Sequence, residues 1–150
     1  MKIILPILFI FILSSSALKA NDSPDLLTLY KELHAYPELS FKEEKTSKKL
    51  ADIMKILGFE VTENFGGYGV VALLKNGEGK TVMLRADMDG LPVKELTGAS
   101  YASKTKSLNQ VGDEVFTMHA CGHDIHMTSL MGTAINLMKR KDEWRGNLII

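Results

Sequence analysis

A single cysteine among 150 residues cannot close an intrachain disulfide, so the core of this chain is not held by a cross-link of its own. Charge of one sign is lacking too. The 18 basic residues balance the 18 acidic ones, and no lysine or arginine run is interleaved with aromatics, which leaves no electrostatic footprint for nucleic acid. Hydrophobic runs are short: the apolar stretch from Ile3 to Leu13 is well below the roughly 20 residues that a membrane-spanning helix needs, so no stable membrane span is expected. No internal repeat, low-complexity tract or interdomain linker divides the chain. At 45% apolar and 24% charged residues, the composition is that of one globular domain and not of a disordered segment.

The apolar N-terminus has the form of a targeting segment. Lys2 supplies a positive end, the run to Leu13 a hydrophobic centre, and the small residues from Ser14 to Ala20 a cleavage region, with cleavage after Ala17 or Ala20. Residues 1–20 therefore read as a signal peptide, and residues 21–150 as a domain exported to a periplasm or secreted.

Beyond it, Ser23-Pro24 is a suitable helix start, with Leu26, Leu29, Tyr30 and Leu33 on one face and Pro37 as the stop. Ser40 with Glu43 reads as a capping box for a second helix, whose buried stripe is Leu50, Ile53, Met54 and Leu57 and which Gly58 closes. The period then shortens. Phe59 to Thr62, Gly69 to Leu74 and Lys80 to Ala86 read as strands, the last two joined across Asn76-Gly77-Glu78-Gly79. A third helix is expected from Asp124 to about Lys141, its apolar side formed by Ile125, Leu130, Met131, Ala134, Ile135 and Met138. Leu148-Ile149-Ile150 reads as a further strand. Helices and strands in this order imply an α/β fold.

The densest chemistry is Met118-His119-Ala120-Cys121-Gly122-His123-Asp124-Ile125-His126-Met127, where the one cysteine meets three of the four histidines. Thiolate and imidazole are the donors of zinc, manganese, cobalt or nickel sites, whereas calcium and magnesium call for oxygen. Cys121 and His123, two apart, do not share a helical face, so they converge only from a turn, which Gly122 permits. At a helix N-terminus the thiolate of Cys121 is favoured over the thiol, and Asp124 is a natural cap or a carboxylate supporting a ligand. His126 reads equally as a ligand, a substrate-binding group or a surface histidine. A structural zinc shell of His119, Cys121, His123 and either Asp87 or His126 is a weaker alternative. The second feature is Arg85-Ala86-Asp87-Met88-Asp89-Gly90-Leu91-Pro92 at a strand end, where Asp87 and Asp89 fit either site carboxylates or an aspartate-rich turn.

Four segments together resemble the amidohydrolase branch of the metal-dependent aminoacylase and carboxypeptidase superfamily, with its hippurate hydrolases, N-acyl-amino-acid amidohydrolases and auxin-conjugate hydrolases. They are Leu33 to Ser40 with Glu43 and Thr46, Leu84 to Pro92, Tyr101 to Lys104, and Met118 to Asp124 with His126-Met127. The resemblance runs from about Leu26 to Ile150. It implies the N-terminal part of a mixed-sheet, two-metal hydrolase catalytic domain, with an incomplete sheet whose open edge lies beside Leu148 to Ile150, in which a metal-activated water attacks the amide carbonyl of an N-acyl amino acid. Cys121 and His123 would be metal ligands, Asp87 and His126 possible ones, and Asp89 an acid that orients a ligand. In related peptidases a histidine occupies the place of Asp87, and an aspartate at the place of Asp89 orients it. The general-base glutamate, three further ligands and the lid domain through which a homodimer forms would lie beyond Ile150. The other class of reading is a non-catalytic truncated remnant or metal-binding pseudoenzyme.

Overall fold

The computed structural model describes residues 24–150; the signal-peptide reading and the helix start at Ser23 lie outside the described residues. Helix α1 (Leu26–Ala35) is capped by the Asp25 carboxylate, which accepts from the Thr28 amide at 3.0 Å and from its hydroxyl at 2.6 Å. Helix α2 (Glu44–Ile56) follows, then strands β1 (Glu60–Phe65), β2 (Gly69–Asn76) and β3 (Thr81–Met83). A small hairpin, β4 (Lys106–Leu108) with β5 (Glu114–Phe116), precedes helix α3 (His123–Lys139) and strand β6 (Gly146–Ile149). No described helix is long and apolar enough to cross a membrane.

The capping box expected at Ser40 is not formed. Phe41 takes a left-handed backbone, φ 63°, and the Lys42 amide donates to the Leu39 carbonyl, so the chain turns before α2. The Glu38 carboxylate caps the helix instead, accepting from the amides of Lys45 and Thr46 at 3.2 and 2.7 Å and from the Thr46 hydroxyl at 2.8 Å.

The main sheet has the order β1-β2-β6-β3. β2 and β3 are sequential yet not paired with each other, because β6 lies between them, antiparallel to β2 (Leu74 opposite Leu148) and parallel to β3 (Val82 opposite Leu148). This corrects the expected open edge. β6 is interior, and the edges are β1 and β3, with Val82 and Met83 exposed on the latter. A parallel pair requires a long crossover, here the segment containing the hairpin and α3. Ala72, Leu74 and Leu148 project from the sheet into one core with Leu29, Leu33, Leu50, Met54, Met127, Met131 and Ala134 of the three helices.

The expected inward stripe of α3 holds for Met131, Ala134 and Ile135, which are buried, and for Leu130 and Met138, which pack against the core; in the first turns Asp124, Met127 and Thr128 are buried, whereas Ile125 is exposed. The reason is electrostatic: a partner for Asp124 on α1 draws that residue inward, and Ile125, about 100° around the helix, turns to solvent.

Candidate metal centre

The site is assembled where the segment after β3 meets the N-terminus of α3. Gly90 donates its amide to the Glu38 carbonyl at 2.7 Å, and Leu91 and Met118 exchange two backbone hydrogen bonds of 2.8 and 3.0 Å. These bridges fix Asp89 on one side and the start of the His119–His123 turn on the other. Gly122 precedes the helix in a left-handed conformation, φ 78°, which only glycine adopts without strain.

His123 opens α3 and is largely buried. Its Nδ1 lies 2.9 Å from the Asp89 carbonyl oxygen and 3.0 Å from Asp89 Oδ1. Both partners are acceptors, so Nδ1 carries the proton and donates; Nε2 is left with its lone pair free. Cys121, two residues earlier, is exposed. The expected roles of Asp89 as orienting acid and His123 as ligand are thus mutually consistent in geometry, and a thiol with an oriented imidazole suits a borderline divalent ion. The donor set is a partial one. Among the described residues no three histidine, cysteine, aspartate or glutamate side chains converge so as to hold a metal ion. Asp87 is engaged by the Arg85 guanidinium. His126 is exposed, its ring centroid 6.0 Å from that of His123. The four-ligand structural zinc shell is therefore not formed by the described residues. His119, its proposed first member, is 4% exposed with neither ring nitrogen hydrogen-bonded, and burial holds its pKa below the ordinary 6.5.

Beneath this turn lies a cluster that sequence reasoning missed. His34, on the last turn of α1, is buried with Nδ1 2.6 Å from Asp124 Oδ2 and Nε2 3.0 Å from Glu95 Oε1. Glu95, with no exposed side-chain surface, also accepts from the Ser103 amide at 2.5 Å and from the Thr97 hydroxyl. Both ring nitrogens of His34 face carboxylates, the arrangement of an imidazolium. Burial by itself lowers the pKa of His34, but the pairs with Glu95 and Asp124 outweigh it and hold the group above 6.5. Burial likewise acts to raise Glu95, and its bonds to Thr97, His34 and Ser103 bring it below 4.5. Glu95 sits in an aperiodic loop with no local signature, and His34 stood out only as part of a resembling motif.

These shifts have a pH consequence. The raised pKa of His34 contributes stability that is complete below pH 6.5 and lost as pH rises through its folded value. Glu95, depressed, contributes above 4.5 and loses that contribution as pH falls through its folded value. His119 opposes His34, since a histidine buried neutral contributes above 6.5 and loses it as pH falls. Comparing wild type with His34→Gln removes the part of the His119 effect that comes from burial, its largest cause, which both proteins share. The difference in unfolding free energy between them is expected to be largest at about pH 5.5 and to shrink toward pH 9, measured by urea titration. A difference that grows with pH would contradict the imidazolium assignment.

Residues 83–150 match the model of peptidase family M20/M25/M40. Over 125 residues the chain is 43% identical to thermostable carboxypeptidase 1 of Saccharolobus solfataricus, an alignment covering 82% of this chain and 30% of that protein. It is 43% identical over 119 residues to the hippurate hydrolase of Campylobacter jejuni, covering 74% of this chain and 29% of the relative. Its fold superposes on the YXEP protein of Bacillus subtilis, described as a dinuclear metal-binding peptidase, with a TM-score of 0.71 and 36% identity over 83% of this chain and 33% of that one. The chain thus spans about 30% of the length of the curated relatives it matches.

Proposed function

Because this chain is a member of peptidase family M20/M25/M40 by sequence and fold, and corresponds to an N-terminal part of it, we propose that it contributes the Cys121–His123 arm of a divalent-metal site in an amide hydrolase. The observation that carries the reading is the bond from His123 Nδ1 to Asp89, which leaves Nε2 as a metal-directed lone pair two residues from an exposed thiol. When bound, a zinc, manganese, cobalt or nickel ion supplies Lewis acidity for cleavage of an amide. This chain's own residues do the preparatory work. Asp89 fixes the tautomer and direction of the His123 ring, and Gly122 permits the turn that carries Cys121 beside it.

We take the substrate to be an N-acyl amino acid, a reading supported by the similarity to a hippurate hydrolase, since hippurate is one such compound. The protein is also taken to be exported, on the strength of the leader at residues 1–20. A second reading, a metal-binding protein without catalysis, is favoured by the partial donor set among the described residues.

Cobalt(II) titration of the 150-residue chain tests the metal arm. A thiolate-to-cobalt absorption band is expected in wild type, absent in Cys121→Ala, with affinity reduced roughly 100-fold or more in His123→Ala. A folded wild-type chain that shows no band argues against the site. Release of amino acid from hippuryl, N-acetyl and indoleacetyl substrates with added zinc or manganese then separates the readings: metal-dependent turnover lost in Cys121→Ala supports the hydrolase, and a loaded but inert chain supports the second.

A further inference from the structure

The buried ion cluster under α3 joins three parts of the chain that are otherwise far apart in sequence. His34 ends α1, Glu95 belongs to the loop after β3, and Asp124 follows the metal-directed His123 directly. We propose that His34 is a positioning residue for the metal-binding turn: by holding Asp124 at 2.6 Å while Glu95 locks its own ring at 3.0 Å, it sets the direction of the first turn of α3 and with it the His123 ring. The functional consequence of this role rests on the reading of Cys121 and His123 as metal ligands; the geometric part does not.

Adhesion between α1 and α3 does not require these charges. Leu29 and Leu33 already pack with Met127 and Met131 in the common core, and replacing buried ion pairs by apolar groups of similar volume is often neutral or stabilising. What an apolar contact does not supply is direction. His34 has two nitrogens with two fixed acceptors, so its ring cannot turn without breaking one contact, and Tyr30 and Tyr101 flank it at centroid distances of 5.7 and 5.3 Å. Asp124 is fixed in the same way, since Oδ1 accepts from the Ile125 amide at 2.8 Å while Oδ2 faces His34. The adjoining residue, His123, then has its backbone placed from below and its ring placed by Asp89 from the side. Sites of this kind tolerate displacements of only about 0.5 Å, which is why the support of a ligand matters as much as the ligand.

The test reads the His123 ring first without metal, by long-range nitrogen-15 correlation spectra of the full chain. Wild type is expected to show one tautomer, protonated at Nδ1. His34→Gln is expected to mix both tautomers at His123 and to lower cobalt(II) affinity 10- to 100-fold. Leu29→Ala loosens the same helix from the same core without touching the cluster, and is expected to lower Tm while leaving the His123 spectrum and cobalt affinity as in wild type. Should His34→Gln fail to fold, Glu95→Gln unlocks only the far side of the His34 ring and is expected to shift His123 in the same direction by less. An unchanged His123 spectrum in the folded cluster variants, or an equal change in Leu29→Ala, overturns the positioning role. If wild type binds no cobalt, the metal reading fails, and the tautomer comparison still decides this one.

Discussion

Gly146→Ala is expected to lower the unfolding free energy by roughly 2–6 kcal/mol, a large share of the 5–15 kcal/mol typical of a whole domain. Gly146 begins β6 with φ 117°, a region open to glycine alone, and a Cβ built there would lie 2.2 Å from the Lys80 carbonyl oxygen. Two costs of about 1–3 kcal/mol each therefore add, one for backbone strain and one for overpacking against main chain that has no rotamer to yield. The position matters because β6 is threaded between β2 and β3, and Asn76 faces Gly146 in the register that admits it. Gly66→Ala separates the two costs: its φ is 66° but nothing lies within 4 Å, so about 1–2 kcal/mol is expected there. Urea unfolding of the three proteins checks this, and equal losses in the two variants would mean that Lys80 retreats and the close approach is soft.

That glycine also shows where the sequence stops being readable. Helices α1 and α2 and the core of β2 were legible because their apolar residues recur at the period of the element, and Leu29, Leu33, Leu50, Met54 and Leu74 are all buried. The strand order was not, since nothing local to Leu148 says that it will enter between strands that follow each other in the chain. The hairpin of β4 and β5 escaped notice because three residues a side are too few to display alternation. In α3 the apolar pattern alone put Ile125 inside, and the buried charge of Asp124 decided otherwise.

The candidate site divides along the same line. Cys121, His123 and Asp89 stood out from donor clustering and from the strand-end position, and the structure brings His123 Nδ1 and Asp89 Oδ1 within 3.0 Å of each other. Of their support only Asp124 stood out. The bonds of His34 span 90 residues to Asp124 and 61 to Glu95, so His34 and Glu95 look ordinary in their own neighbourhoods. The consequence is physical: the candidate donors are marked by their type, whereas the groups that pack beneath them are marked only by what the fold brings beside them.

Glu95 is the member of that support whose loss should cost most. Glu95→Ala removes at once the acceptor for His34 Nε2, for the Ser103 amide and for the Thr97 hydroxyl, in a side chain with no exposed surface. A cost of about 3–5 kcal/mol is expected, the usual penalty for leaving one partner of a buried ion pair behind. Glu95→Gln is the more telling change, because it keeps the shape and alters one atom. Oε1 faces His34 and Thr97 while Oε2 faces the Ser103 amide, so the new NH₂ must oppose a donor on whichever side it is placed. About 1–3 kcal/mol is expected, with a fall in the His34 pKa readable by NMR titration. If Glu95→Gln were as stable as wild type and NMR found His34 uncharged, the NH₂ would have found its acceptor in an unprotonated His34 Nε2, beside the Thr97 hydroxyl, which can accept as well. The cluster would then hold a neutral histidine bonded to Asp124 alone, and its stability would no longer fall as pH rises through the His34 titration.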